Sequence, residues 1–235
     1  NYRLTFYVML PFILAAMPLT VSLREPKRKK LIIKKSYVKN LGKILGYCMK
    51  NKILLWLLLF SSVMFALNQS ALWFYQPYFS LSGLDVAYFG FAFASFQVVA
   101  ALSSKYSYKI ERRIGRELSF ILIVLAVSGA YFLMANFIFI FSFAFAFLHQ
   151  FARGFMNIIF SDYINQIVES KSRATILSVK NMLSYLSSSI IFPLVGLFAD
   201  AFSILQTFLL LGFLTLFVGT AFFLIHMNLK SKYLL

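Results

Sequence analysis

Seven continuous apolar runs divide the chain, at 4–23, 53–75, 86–104, 118–134, 137–160, 175–198 and 205–226. Each is near the roughly 20 residues that a helix needs to cross about 30 Å of hydrocarbon. The runs are unbroken rather than alternating, and the spans of a β-barrel would be about half as long. The pattern therefore predicts an all-α integral membrane fold with seven transmembrane helices. Six of the runs follow one another through short connections. A single long gap, 24–52, separates the first from the rest.

That gap has two parts. Arg24-Glu25-Pro26-Lys27-Arg28-Lys29-Lys30 is a charged exit from the membrane, interrupted by proline. Beyond it, Tyr37, Val38, Leu41, Ile44, Leu45 and Cys48 recur at helical spacing, with Lys39, Lys43 and Lys50 elsewhere on the wheel. The second part thus predicts a basic amphipathic helix lying on a membrane surface.

The basic residues orient the spans. Of the 23 Lys and Arg, eleven lie in 24–52 and five in Lys105–Arg116, while Lys171, Arg173, Lys180, Lys230 and Lys232 fall on the same side. The intervening loops 76–85, 135–136 and 199–204 hold none, only Asp85 and Asp200. By the excess of Lys and Arg in cytoplasmic loops, the basic side and the C-terminus are expected inside and the first residue outside. Localisation is expected to be the cell (inner) membrane, multi-pass. The chain starts at Asn1, with no basic n-region before its first run and no small-residue cleavage site after it. A signal peptide is therefore not expected, and further spans are expected upstream.

A net charge of +16 would point to nucleic acid in a soluble protein. Here the charges sit between spans, so anionic lipid headgroups are the expected partner and no nucleic acid is. One cysteine, Cys48, excludes an intrachain disulfide and a cysteine metal cluster. The two histidines, His149 and His226, have no carboxylate at helical spacing, and no nucleophile elbow, phosphate loop or zinc-protease motif occurs. Neither an enzyme nor a cofactor or metal is expected.

The layout of one span, a long basic linker and six closely connected spans resembles the major facilitator superfamily. Two stretches add to the resemblance. Arg112-Arg113-Ile114-Gly115-Arg116 is similar to the family's R-x-G-R loop signature, with Glu111 where an aspartate would usually precede it. The stretch from Gln150 through Arg153-Gly154 and Tyr163-Ile164-Asn165 to Arg173-Ala174-Thr175-Ile176-Leu177-Ser178 resembles bacterial drug-efflux members. The resemblance implies twelve helices in two six-helix bundles, substrate bound between them, and alternating access. In that frame, 1–23 is the last helix of the N-terminal bundle, 24–52 the cytoplasmic linker and 53–235 the C-terminal bundle. The missing N-terminal bundle becomes a partner, and Arg112, Arg113, Gly115 and Arg116 form a gating loop.

Polar side chains within the spans mark a cavity or a helix contact, because they are costly in hydrocarbon. Asn68, Gln69 and Gln76 belong to the second span, Gln97 to the third, and His149, Gln150, Arg153 and Asn157 to the fifth. Asn181 belongs to the sixth, whereas the fourth has no amide or charge and the seventh has polar groups only at its ends. The resemblance implies that the two apolar spans are peripheral and the other four line the cavity. Gln69, Trp73 and Gln76 share one helix face, Phe93 and Gln97 another, and Asn181 and Tyr185 a third running toward Pro193. Such aromatic and amide faces suit an amphiphilic organic ligand. His149, Arg153 and Asn157, with Gln150 beside them, form a further stripe. There Arg153 anchors an anionic group, or else reaches the inner headgroups or pairs with Asp162, and His149 is a candidate proton carrier.

The function these readings favour is secondary active transport of a small organic solute, by proton-coupled efflux. Two alternatives stand beside it: uptake of a nutrient or organic anion by the same fold, and a non-transporting membrane scaffold or membrane-embedded enzyme.

Overall fold

In a computed structural model, residues 2–22 and 37–233 are described, and all regular structure among them is helical. The chain separates into two compact units, Asn1–Tyr37 and Val38–Leu235. The first contains α1 (Tyr2–Ser22), an apolar helix with Pro11 and Pro18 inside it. The charged exit Arg24–Lys30 lies outside the described residues.

The amphipathic pattern after it forms α2 (Tyr37–Lys50). Its Cys48 is 3% exposed and joins the hydrophobic core, with Ile44 packed against that core. Burial pushes the Cys48 thiol above its ordinary range. Asn51 separates α2 from α3 (Lys52–Ser70), and its side chain accepts a 3.0 Å hydrogen bond from the Leu54 amide as an N-cap.

The α3 span tightens into a 3-10 turn at Ala71–Phe74 and continues as α4 (Tyr75–Leu81). Pro77 accounts for the irregularity. Its missing N–H and its ring break the regular helical ladder toward Trp73, and proline is tolerated in the first turn of α4.

The third and fourth spans form α5 (Phe89–Asn136), in which Gly115 alone departs from helical geometry, with φ 82° and ψ 173°. The arms 89–114 and 116–136 run in opposite directions along α6 (Ala146–Ile167). In the first arm, Phe96, Ser103 and Glu111 meet Phe147, Phe151 and Tyr163 in ascending order. In the second, Phe120 and Tyr131, followed by Phe137 just past its end, meet Phe160, His149 and Phe145 in descending order. The chain thus turns back at one glycine, whose backbone conformation L side chains rarely adopt. The remaining helices are α7 (Arg173–Ala201) and α8 (Ile204–Tyr233).

Five helical stretches are long and apolar enough to cross a membrane: Lys52–Leu81, Val86–Asn136, Ser142–Ile167, Ser170–Ala201 and Ile204–Leu229. The second contains two spans joined at Gly115. The fifth span starts later than expected from the sequence, at Ser142 rather than at 137. Phe137 is extended, with φ −123° and ψ 113°, and the segment to Phe141 is a turn of large apolar residues. Hydrophobicity cannot mark such a loop when it carries no polar break.

Packing is organised around three helix pairings: α5 with α6, α5 with α8, and α3 with α7. α5 and α6 approach closely at Gly154, where a Cβ would collide with the Ala100 carbonyl oxygen. Ser103 and Ser104 seal this contact by donating to the carbonyls of Phe151 (2.7 Å) and Gly154 (3.1 Å). Small residues and hydroxyls serve here because lipid supplies no hydrophobic force between helices. Large apolar side chains such as Leu125, Phe213, Phe217 and Leu224 remain exposed, as a lipid-facing surface requires.

Candidate functional site

Between α3, the first arm of α5, α6 and α7 lies a cavity of about 530 Å³, within the size range of small-molecule sites. Its polar wall is Gln97, Arg153, Asn157, Lys180 and Asn181; Phe65, Met156, Phe160 and Tyr185 supply apolar surface. These four helices are the same polar-bearing spans singled out in the sequence. The second arm of α5 and α8 contribute nothing to the lining.

Arg153 is held by α6 so that its guanidinium Nη2 donates to Gln97 Oε1 across the cavity at 2.7 Å. It does not pair with Asp162, whose carboxylate accepts from Gln166 Nε2 at 2.7 Å and Tyr108 OH at 3.3 Å. Arg153 is the twelfth residue of the helical stretch Ser142–Ile167, roughly 17 Å from its start at about 1.5 Å per residue.

Lys180 is the residue that the charge pattern concealed. It reads as part of the basic flank, yet it is 9% exposed and lines the cavity. Its ammonium donates to Ser161 Oγ at 3.4 Å. The Lys180 backbone is fastened too: its carbonyl accepts from Ser184 Oγ at 3.0 Å and Ser62 Oγ at 3.4 Å, joining α7 to α3. A signal was available, because Arg153 and Lys180 are the only Lys, Arg, Asp or Glu inside any of the seven apolar runs. Ser61, Ser104 and Ser184, also in the lining, carry no such signal.

The other candidate residues lie elsewhere. His149 is fully buried, against Tyr131 at 4.4 Å and Tyr75 at 6.2 Å between ring centroids. Its ring nitrogens make no well-formed hydrogen bond, with the Val127 backbone a weak neighbour. Gln150, also buried, donates to Tyr75 OH at 3.2 Å. A stripe at i, i+4, i+8 winds about 80° around a helix of 3.6 residues per turn, so His149 turns into the core while Arg153 and Asn157 reach the cavity. Phe93 packs with Tyr75, Phe79 and Phe96 in an aromatic cluster. Trp73 lines a separate apolar cavity of about 320 Å³ with Phe192. Gln69 and Gln76, on the same helical stretch, are absent from both linings.

At the basic side, the Gly115 turn is bound to α6. The Arg116 guanidinium stacks 4.5 Å from the Tyr163 ring centroid and donates to Gln166 Oε1 at 2.9 Å. Tyr163 OH in turn donates to Glu111 Oε1 at 2.9 Å. Arg112 and Arg113 are exposed.

The model of the Major Facilitator Superfamily matches residues 1–192 and, again, 58–232. The chain belongs to this family. It is therefore a multi-pass membrane protein of a transporter family, one whose members bind small molecules. No curated relative matches the chain. Within the family frame the four-helix cavity, with its two cations and its amides, is the candidate substrate site.

Proposed function

We propose that this major facilitator protein is a secondary active transporter that moves a small organic solute by alternating access. The observation that carries the reading is the cavity: a concave space of about 530 Å³ among membrane spans, lined by amides and two cations. Gln97, Asn157 and Asn181 are exposed in this bundle although they lie within spans. Amides are costly against lipid, so a second helical bundle is the reasonable cover for that open side. In this reading, 1–23 is the last helix of the opposing bundle, 24–52 the linker, and 53–235 the C-terminal bundle. The basic side is cytoplasmic, and anionic headgroups of the inner membrane contact the linker.

The direction proposed is export driven by protons, on the resemblance of 150–178 to efflux members. Among the described residues, no carboxylate lines the cavity, so a proton-carrying carboxylate is assigned to the opposing bundle. The second reading is uptake of an organic anion, favoured by Arg153 and Lys180 in the lining. Reconstitution of the protein in liposomes, with the opposing bundle present, tests the proposal. Gradient-driven flux of an organic solute is expected, and Arg153→Ala should abolish it while membrane expression persists. Normal flux by Arg153→Ala would remove the cavity from the transport path, and no flux under any gradient would end the transporter reading.

A further inference from the structure

The cavity contains two cations and, among the described residues, no anion. Every acid on the neighbouring elements is accounted for elsewhere. Asp162 accepts from Gln166 and Tyr108, and Glu111 accepts from Tyr163 at the basic end of the bundle. Asp85 caps a turn through the Ala87 amide, Glu169 pairs with Lys171 at 2.7 Å, and Asp200 is exposed at the far end of α7. Glu117 has an interaction of its own and is not in the lining. An ammonium as enclosed as that of Lys180 is costly when nothing compensates it. One hydroxyl at 3.4 Å is slight compensation.

We infer that the cavity takes an amphiphilic organic anion, whose oxyanion group is held by Arg153 and Lys180. The inference rests on the cavity being the transported solute's site. Of the five guanidinium donors of Arg153, one is given to Gln97, which orients the fork. Lys180 adds a point charge from the facing helix α7. Asn157 and Asn181 supply neutral donors from the same two helices. The remaining wall is apolar: Phe65 and Tyr185 meet edge to face at 6.1 Å, with Met156 and Phe160 beyond. Oxyanion recognition at one wall and hydrocarbon contact at the other select a carboxylate or phosphate that carries an apolar or aromatic body. A cationic amphiphile would meet like charge twice.

The test is binding to the purified protein in dodecyl maltoside, measured by equilibrium dialysis with tritiated 2-naphthoate. Saturable binding is expected, with 2-naphthamide a poor competitor and 2-naphthylmethylammonium poorer still. Arg153→Gln and Lys180→Gln should each weaken naphthoate binding by about tenfold or more, as loss of a charged hydrogen bond implies. The competitor series uses the unchanged protein and so stands even if a variant fails to fold. Repeating the titration in phosphatidylcholine nanodiscs, with and without phosphatidylglycerol, separates the sources of anion. Competition by free inorganic phosphate supports a soluble ligand; competition only by phosphatidylglycerol supports a lipid headgroup, and both retain the oxyanion site. Stronger binding of the ammonium probe, unchanged binding in the folded double variant, or no binding of naphthoate would each overturn the inference. The last would mean that a carboxylate from another segment already satisfies both cations. Binding without gradient-driven flux would sink the transport reading and leave the anion site; flux of a cation without naphthoate binding would do the reverse.

Discussion

Gly154 is where single-residue geometry matters most. Its hydrogen faces the Ala100 carbonyl oxygen, and two serine hydroxyls close the contact on either side. Gly154→Ala should push α5 and α6 apart and destabilise the protein by about 1–3 kcal/mol, the usual cost of overpacking. A lowered thermal midpoint in detergent checks this, and an unchanged midpoint would show that the helices part without penalty. Because Arg153 is the adjacent residue and reaches Gln97 on α5, the same substitution should weaken ligand binding. Sequence alone made Arg153 a candidate but could not supply its partner. Asp162 is nine residues along the same helix, whereas Gln97 is brought near only by packing.

At the scale of the element, α5 is two membrane spans that share one turn. Gly115 permits the reversal through a backbone region that is nearly confined to glycine. Gly115→Ala should therefore cost about 1–3 kcal/mol. It should also loosen the stack of Arg116 on Tyr163, which depends on where the turn places the arginine. Loss of thermal stability that is matched by Tyr163→Leu, with no further loss in the double variant, is the expected result. Additive losses would mean that the turn and the stack are independent. The motif Arg112–Arg116 was legible as a loop signature, but the reversal at its glycine came from the structure. The clasp on α6 was not, because Glu111, Tyr163 and Gln166 become neighbours only when the arms fold back.

For the molecule as a whole, orientation and cover are the quantities to test. With Cys48 replaced by Ser, Lys171→Cys should react with an impermeant thiol reagent only in inside-out vesicles, and Ala201→Cys only in intact cells. The two positions stand at opposite ends of the α7 stretch. Labelling in the reverse sense would invert the topology assigned from the basic loops. The exposed amides Gln97, Asn157 and Asn181 set the cover problem, since the wall they form belongs against water, ligand or another bundle and not lipid.

Composition and periodicity alone determined that the chain is a polytopic helical membrane protein, because crossing hydrocarbon demands long apolar helices whatever their packing. They also separated polar-bearing spans from apolar ones, and the cavity is lined by the former. Tertiary structure decided the rest. It moved the start of the fifth span past an apolar turn, sent His149 and Gln150 into the core, and set Phe93 in an aromatic cluster. It also brought Lys180 out of the basic flank and into the cavity beside Arg153's helix. A residue's type and spacing fix the cost of placing it in a membrane. Which helix covers it depends on rotation and close approach, and these are settled by contacts such as Gly154 on Ala100 between residues far apart in the chain.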